Sequence, residues 1–380
     1  MDFNFSDEAI ELKNMVQEFT AQEITPYALE MDQENKMREG LLEKAAELGL
    51  LNLIIPEKFG GAGLDALTVA LIYEELAKGC AGVATTFAAN SLAILPVLLG
   101  GNEKQQQEFF EVINNGGLAA FALTEANAGS DASAVATKAR FNEKDNTYTL
   151  NGTKCFITNA GLADIFVIMA NTREDGSMRG MTAFIVKKDA KGLSIGKKED
   201  KMGIRPSNTS EIILDNVVVP AENIIAKAGL GFRLAMQTLD IARPFVGAIA
   251  VGVAQSALDC SVKYAKERQQ FGKPIASFEL IQGMLADMAM KVETARLMVY
   301  KALWLYENGK DFSKESAMAK CYAGDVAMQV TTDAVQILGG YGYSKEFPVE
   351  KMMRDAKVMQ IYEGTNQIQR LVIAGKLLKK

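Results

Sequence analysis

The sequence predicts an α+β protein in which two helical regions flank a β region. Three observations lead there. Apolar residues recur at helical spacing up to about Gly117 and again from Gly231 onward. Between about Leu118 and Asn223 the period drops to two. Strands and helices do not alternate as a doubly wound parallel sheet requires. The expected division is an N-terminal α-helical domain over 1–120, a middle, mostly antiparallel β domain over 121–228 and a C-terminal α-helical domain over 229–380.

In the first zone Phe5, Ala9, Leu12, Val16 and Phe19 share one helix face, with Ser6 as N-cap and Asp7 and Glu8 in the first turn. Pro26 is expected between the first two helices, and further amphipathic runs cover 41–51, 67–77 and 84–99. In the β zone Tyr148, Leu150, Asn151-Gly152 and 155–158 read as a hairpin, because Asn-Gly readily takes the positive φ angles of a type I′ turn. The runs 163–170, 181–187 and 211–219 supply further strands, the last ended by Pro220. Helical periodicity then returns over 232–269, 278–308, 313–339 and 366–378.

The chain has 380 residues, 48% hydrophobic and 23% charged, enough to bury a large core. With 41 basic and 47 acidic residues its net charge is −6, and no block of like charge forms a basic patch, so nucleic acid is not expected as a partner. It contains no histidine. That excludes Ser-His-Asp and Cys-His chemistry and His-ligated zinc, and leaves proton transfer to a carboxylate, lysine, tyrosine or cysteine. Cys80, Cys155, Cys260 and Cys321 are too dispersed for a CxxC centre; they read as reduced, buried thiols and no metal site is expected. The opening Met1-Asp2-Phe3 lacks the basic flank and apolar core of a signal peptide, and the apolar stretches are broken at Asn90, Pro96 and Gly100. A cytoplasmic protein without membrane contact is expected.

Gly61-Ala62-Gly63-Leu64-Asp65-Ala66 fits the loose pattern GxGxxA, but it lies among helices and the nearest acids, Glu74 and Glu75, come too early for a nicotinamide site. It reads as a turn. Thr124-Glu125-Ala126-Asn127-Ala128-Gly129-Ser130-Asp131 combines hydroxyls with a glycine that lets backbone donors approach a flat ring or a phosphate. Phe156-Ile157-Thr158-Asn159 is a second hydroxyl-bearing run able to face it. Arg268-Gln269-Gln270-Phe271-Gly272-Lys273 and Gln336-Ile337-Leu338-Gly339-Gly340 read, each alone, as helix ends. Tyr362-Glu363-Gly364-Thr365 sets a carboxylate beside a glycine just before a helix start; alone, Glu363 reads as a solvated surface charge more readily than as a base, a preference that the lack of histidine narrows.

In this order and spacing the five segments resemble the acyl-CoA dehydrogenase family of flavoproteins, closest to its medium-chain and short-chain branch, over essentially the whole chain. The resemblance implies the acyl-CoA dehydrogenase fold, with FAD between the β and C-terminal domains and a homotetramer in which a neighbouring subunit completes each cofactor site. By matching positions, Phe121, Leu123 and Thr124 would lie near the flavin, with Gly129 beside the cofactor. Ser130 would touch both FAD and acyl-CoA, and Phe156 and Thr158 would cover the other side of the ring. Arg268, Phe271, Gln336 and Gly340 would reach the FAD of the neighbour, and Thr365 and Gln367 would help hold the adenosine diphosphate half of the cofactor. Asp240, Arg243, Tyr362 and Gly364 would bound the substrate.

The implied reaction has Glu363 remove the α-proton of an acyl-CoA thioester while a hydride leaves the β-carbon for the flavin, giving trans-2-enoyl-CoA; electrons then pass to an electron-transfer flavoprotein. In the isovaleryl branch the base sits just before the arginine matching Arg243, but Ala242 stands there in this chain. Phe156 replaces a frequent tryptophan, and Ala84 with Ala88 implies a deeper or wider acyl pocket. The alternatives are an enoyl-CoA reductase working in reverse, or a non-catalytic assembly factor that keeps the fold.

Overall fold

A computed structural model describes residues 5–379; the reading for a leader segment begins on residues 1–4, which lie outside the described residues. Helix α1 (Asp7–Phe19) is capped as expected, the Ser6 hydroxyl accepting from Ala9 N at 3.2 Å. Pro26 does not break the chain between two helices. A π turn (Thr20–Ile24) and a 3₁₀ turn (Thr25–Tyr27) carry it into α2 (Ala28–Glu34), with Pro26 in a first-turn position where its missing N–H has no cost. α3 (Leu41–Glu47) ends before 51, because Gly49 turns left-handed at φ 70°. α4 (Ala66–Gly79) starts on Asp65, and α5 (Ala81–Gly100) runs straight after it. α6 (Glu103–Asn114) was not expected, although Asn102 and Gln105 form a reciprocal capping box that the sequence spells out.

The middle sheet comprises β1 (Ala119–Ala122), β2 (Lys138–Asn142), β3 (Thr147–Thr158), β4 (Ile165–Asn171), β5 (Met181–Lys187), β6 (Leu193–Lys198), β7 (Thr209–Pro220) and β8 (Ile224–Ile225). Its order is β6-β7-β3-β2-β4-β5-β8, mostly antiparallel, with β1 parallel to β4. The hairpin expected at Asn151-Gly152 is not there. Both residues lie inside β3, where the register to β7 slips between Leu150 and Gly152; a Cβ on Gly152 would come within 2.5 Å of Thr137 Oγ1. The reversal falls instead between β2 and β3, where Asn142 Oδ1 accepts from Lys144 N and Asn146 turns left-handed at φ 52°. Glycine at 152 thus serves close packing and a bulge rather than a turn.

The remainder is α7 (Gly231–Glu267), the short hairpin β9 (Gln269–Gln270) and β10 (Lys273–Pro274), α8 (Glu279–Glu307), α9 (Ser313–Leu338), α10 (Pro348–Val358) and α11 (Asn366–Leu378). The four long helices match expectation; α10 was missed. α7 is the central post, packed on α9, α4, α8 and α5. Together with α5 it is long and apolar enough to cross a membrane, but their most apolar windows are 72% and 78% buried against protein, which marks core helices.

Two cores result. The larger joins the helical regions and takes Ile165, Val167 and Met169 of β4; the smaller lies on the opposite face, with Phe166, Ile168 and Ala170. Buried on both faces, β4 reads as a continuous apolar run, each large side chain contributing about 1.5–3 kcal/mol. Among the cysteines, Cys80 and Cys321 are buried, while Cys155 and Cys260 are only half-buried, which corrects the expectation of four buried thiols; all four are free.

Candidate active site

After α10 the chain makes a tight loop before α11. Tyr362 N donates to Val358 O, Asn366 N to Gln360 O, and the Thr365 hydroxyl caps α11 by accepting from Ile368 N at 3.3 Å. Between these anchors Glu363 and Gly364 are both left-handed, at φ 52° and 93°. Glycine adopts that region freely; a glutamate there costs on the order of 1 kcal/mol and must be held. Gln369 Nε2 donates to Glu363 O at 3.2 Å and Gly364 O at 3.0 Å, Lys320 Nζ donates to Gly364 O at 2.7 Å, and Arg243 Nε reaches Glu363 O at 3.4 Å.

The carbonyl of Glu363 is therefore held from two sides while its carboxylate is not. The residue is partly open, yet Oε2 is buried and has no hydrogen-bond partner. Burial pushes the carboxyl from an ordinary 4.5 up to about 7, against the pull of the Arg243 and Lys320 cations. Tyr73 on α4 and Tyr362 face it as neutral phenols, their titration pushed up first by burial and then by the charge of Glu363. A carboxylate poised near neutrality, unpaired, in a chain without histidine is equipped to take a proton.

Arg243, buried on α7, donates through Nη1 to Asp240 Oδ1 at 2.6 Å. The ion pair and the approach to Glu363 thus coexist. Burial raises the Asp240 carboxyl despite Arg243, and its main-chain carbonyl accepts from Ser316 Oγ at 2.6 Å. On α5, Ala84 is fully buried and Ala88 half-buried, on the face that one turn later carries Ser91, bonded at 2.6 Å to Tyr73 OH.

A second group forms on the β region. Phe121 lies in β1 and Leu123 follows it, and Thr124 O accepts from Cys155 N at 2.9 Å, which ties the loop to β3. Beneath it the buried Lys154 Nζ donates to Leu123 O at 3.1 Å and to Glu125 Oε1 at 2.6 Å, while Glu125 also accepts from Ala136 N and from Thr137. Gly129 and Ser130 are exposed, and a Cβ at 129 would meet nothing within 4 Å. Phe156 stands on a bulge at φ 56° and is 64% exposed, an unusual position for an aromatic ring. Thr158 pairs with Thr209, whose buried Oγ1 lacks a partner, and Asn159 Nδ2 anchors the end of β3 to Thr86 O and Ala119 O.

The third group sits apart. Phe271-Gly272 occupies the left-handed tip of the β9–β10 hairpin, φ 52° and 78°, and leaves Phe271 92% exposed. Arg268 lies 5.3 Å from the Tyr341 ring centroid, and with Gly340 it lines a cleft of about 650 Å³. Neither Glu363 nor Thr124 lines that cleft. Gln336 and Gln367 are exposed nearby in sequence to it and to Glu363 respectively.

An exposed ring at Phe156, open backbone at Gly129, an orphaned hydroxyl at Thr209, the exposed Phe271 and Gly340 and the half-buried Arg268 fit a large flat cofactor with a phosphate-bearing tail. Among the described residues no cluster of His, Cys, Asp and Glu could hold a metal ion. Sequence reasoning missed Lys154, Lys320, Asn366 and Gln369. The available signal was a lone lysine, Lys320, on a helix face of small residues, Ala317, Gly324 and Ala327, all buried.

Family models describe the chain as acyl-CoA dehydrogenase N-terminal domain over 6–117, middle domain over 120–217 and C-terminal domain over 229–378. The chain is similar to acryloyl-CoA reductase (NADH) of Anaerotignum propionicum, 45% identical over 100% of this chain and 97% of that one. It superposes on butyryl-CoA dehydrogenase from Megasphaera elsdenii with TM-score 0.97 and 47% identity, covering 100% of both chains. The same TM-score, at 46% identity and 100% of both chains, relates it to a chain in the structure of the electron transferring flavoprotein of Acidaminococcus fermentans, work directed at flavin-based electron bifurcation.

Proposed function

This chain belongs to the acyl-CoA dehydrogenase family, and from that premise we propose that Glu363 is the base with which it dehydrogenates short-chain acyl-CoA thioesters. It is an FAD-dependent oxidoreductase that converts acyl-CoA to 2-enoyl-CoA, works as a homotetramer and passes electrons to an electron-transfer flavoprotein. The observation that carries the role of Glu363 is its buried, unpartnered Oε2 on a strained loop, between two cations that engage the backbone instead. We place the enzyme in the cytoplasm.

Bound FAD supplies the acceptor for the hydride equivalent that leaves the substrate. The chain's own residues do the rest. Phe121, Leu123, Thr124, Gly129, Ser130, Phe156 and Thr158 would hold the cofactor's ring end; Arg268, Phe271, Gln336, Gly340, Thr365 and Gln367 would hold the rest, in part across subunits. Glu363 Oε2 takes the α-proton, and substrate binding expels the remaining water and raises the basicity of the carboxylate further. The Glu363 N–H, fixed by the left-handed turn, is a donor for the thioester carbonyl as negative charge develops there. Tyr362, Gly364, Arg243 and Asp240 wall the substrate on this side.

A second reading, enoyl-CoA reduction in the reverse direction, is favoured by the similarity to the acryloyl-CoA reductase. Glu363, poised near 7, then donates the proton to the α-carbon instead of accepting it. Anaerobic titration of the purified enzyme with straight-chain acyl-CoA and enoyl-CoA thioesters tests both. Bleaching of the oxidised flavin band by short acyl-CoA supports dehydrogenation, and a flavin unmoved by every acyl-CoA contradicts it.

A further inference from the structure

Lys320 is fully buried in the N-terminal third of α9, yet among the described residues it forms no ion pair. Its ammonium donates to the Gly364 carbonyl at 2.7 Å and to Asn366 Oδ1 at 3.0 Å. Asn366 is itself buried and fixed, its Nδ2 donating to Cys321 O at 2.9 Å and Asp325 Oδ1 at 2.8 Å. The loop lies tightly on α9 at this point: a Cβ at Gly324 would come within 2.7 Å of Met359 O. An unpaired buried ammonium is costly, and a neutral donor would satisfy a carbonyl at less expense of desolvation. The charge at this position therefore calls for a role that a hydrogen bond alone does not fill.

We propose that Lys320 is the positioning residue of the catalytic loop: it pins the Gly364 carbonyl so that Glu363 stays in its left-handed turn, and its charge tunes the basicity of Glu363. The proposal rests on Glu363 being the base. Burial brings Lys320 down to about 8, with the negative charge of Glu363 the first influence that opposes this. The charged and titratable groups around the pair are Arg243 and Asp240 on α7, Tyr73 on α4, Tyr362 on the same loop, and Cys321 and Asp325 on α9. Of these, Arg243 and Lys320 are the cations that lower the Glu363 carboxyl. Removing either therefore moves it up.

The test compares Lys320→Gln, which keeps a donor but no charge, Lys320→Met, which keeps neither, and Lys320→Arg, which keeps both, each as FAD-loaded tetramer. In Lys320→Gln the midpoint of the acid limb of flavin reduction is expected to rise by roughly one pH unit. Its limiting rate at neutral pH should fall about tenfold while the acyl-CoA dissociation constant changes less than about threefold. Lys320→Met should lose about a hundredfold because the loop also drifts, and Lys320→Arg should return the midpoint. An unmoved midpoint in folded Lys320→Gln, or loss of FAD and tetramer in both neutral variants, overturns the proposal and leaves Lys320 a structural residue. Glu363→Gln measured alongside separates the two claims: if it is inert while the Lys320→Gln midpoint stays put, only the role of Lys320 fails; if it still reduces its flavin, the base assignment fails.

Discussion

Arg243 addresses the backbone of Glu363 and not its carboxylate: Nε approaches Glu363 O at 3.4 Å while Nη1 is committed to Asp240 at 2.6 Å. The cation that pulls hardest on the proposed base thus orients it and lowers its affinity for a proton without capping the oxygen that must accept one. Arg243→Ala is expected to weaken acyl-CoA binding about tenfold, worth about 1.4 kcal/mol, and to lower the melting temperature because Asp240 loses its partner. Calorimetric titration beside a thermal melt measures both; unchanged affinity with reduced stability would remove Arg243 from the substrate wall.

The acid limb of kcat/KM should rise through about pH 7, since the free enzyme must carry Glu363 as carboxylate. Stability runs the other way. The folded carboxyl holds its proton up to about 7 and the unfolded one only to 4.5, so the folded state binds more protons in that window and loses stability as pH rises across it. Glu363→Gln escapes this loss. Its melting temperature relative to the native enzyme should climb between about pH 5 and about pH 8, and a constant difference would contradict a buried, raised carboxyl.

Lys154→Met leaves Glu125 buried without its cation and Leu123 O without a donor. Breaking such a pair costs about 3–5 kcal/mol, here concentrated under the loop proposed to hold the flavin. Chemical denaturation should show that loss together with reduced FAD content; the double variant Glu125→Gln/Lys154→Met should recover part of the stability. A single variant as stable as the parent would mean that Lys154 carries no load at this site.

Arg268→Ala should lower FAD content in the tetramer, because the half-buried cation beside Gly340 and Tyr341 is the one proposed to hold the phosphate-bearing tail. Flavin absorbance per protomer, beside oligomer mass by light scattering, gives the answer. Full flavin content would place that cleft outside the cofactor site.

Periodicity made the layered α-β-α order and the four long C-terminal helices legible, because α7, α8 and α9 each bury an apolar stripe; α11 keeps the spacing but buries only Asn366 and Gln369. The reversal between β2 and β3 was not, since Asn146 supplies the positive φ without a following glycine, and the Asn151-Gly152 pair that advertises a turn is consumed by packing against Thr137. Glu363 was singled out as a candidate by its glycine neighbour and the lack of histidine, but its role as base came only from the family resemblance. Lys320, Gln369 and Lys154 were not: Lys320 and Lys154 act on carbonyls 44 and 31 residues away, and Gln369 reaches back 5 and 6 residues only because the loop before its helix folds left-handed.

The most direct test of the central claim is rapid mixing of FAD-loaded Glu363→Gln with saturating short-chain acyl-CoA under anaerobic conditions. With the only unpartnered carboxylate of the loop removed, and no histidine to substitute for it, flavin reduction should fall by at least about a thousandfold while FAD content and acyl-CoA binding persist. A flavin that still bleaches at a near-native rate would show that another group takes the α-proton.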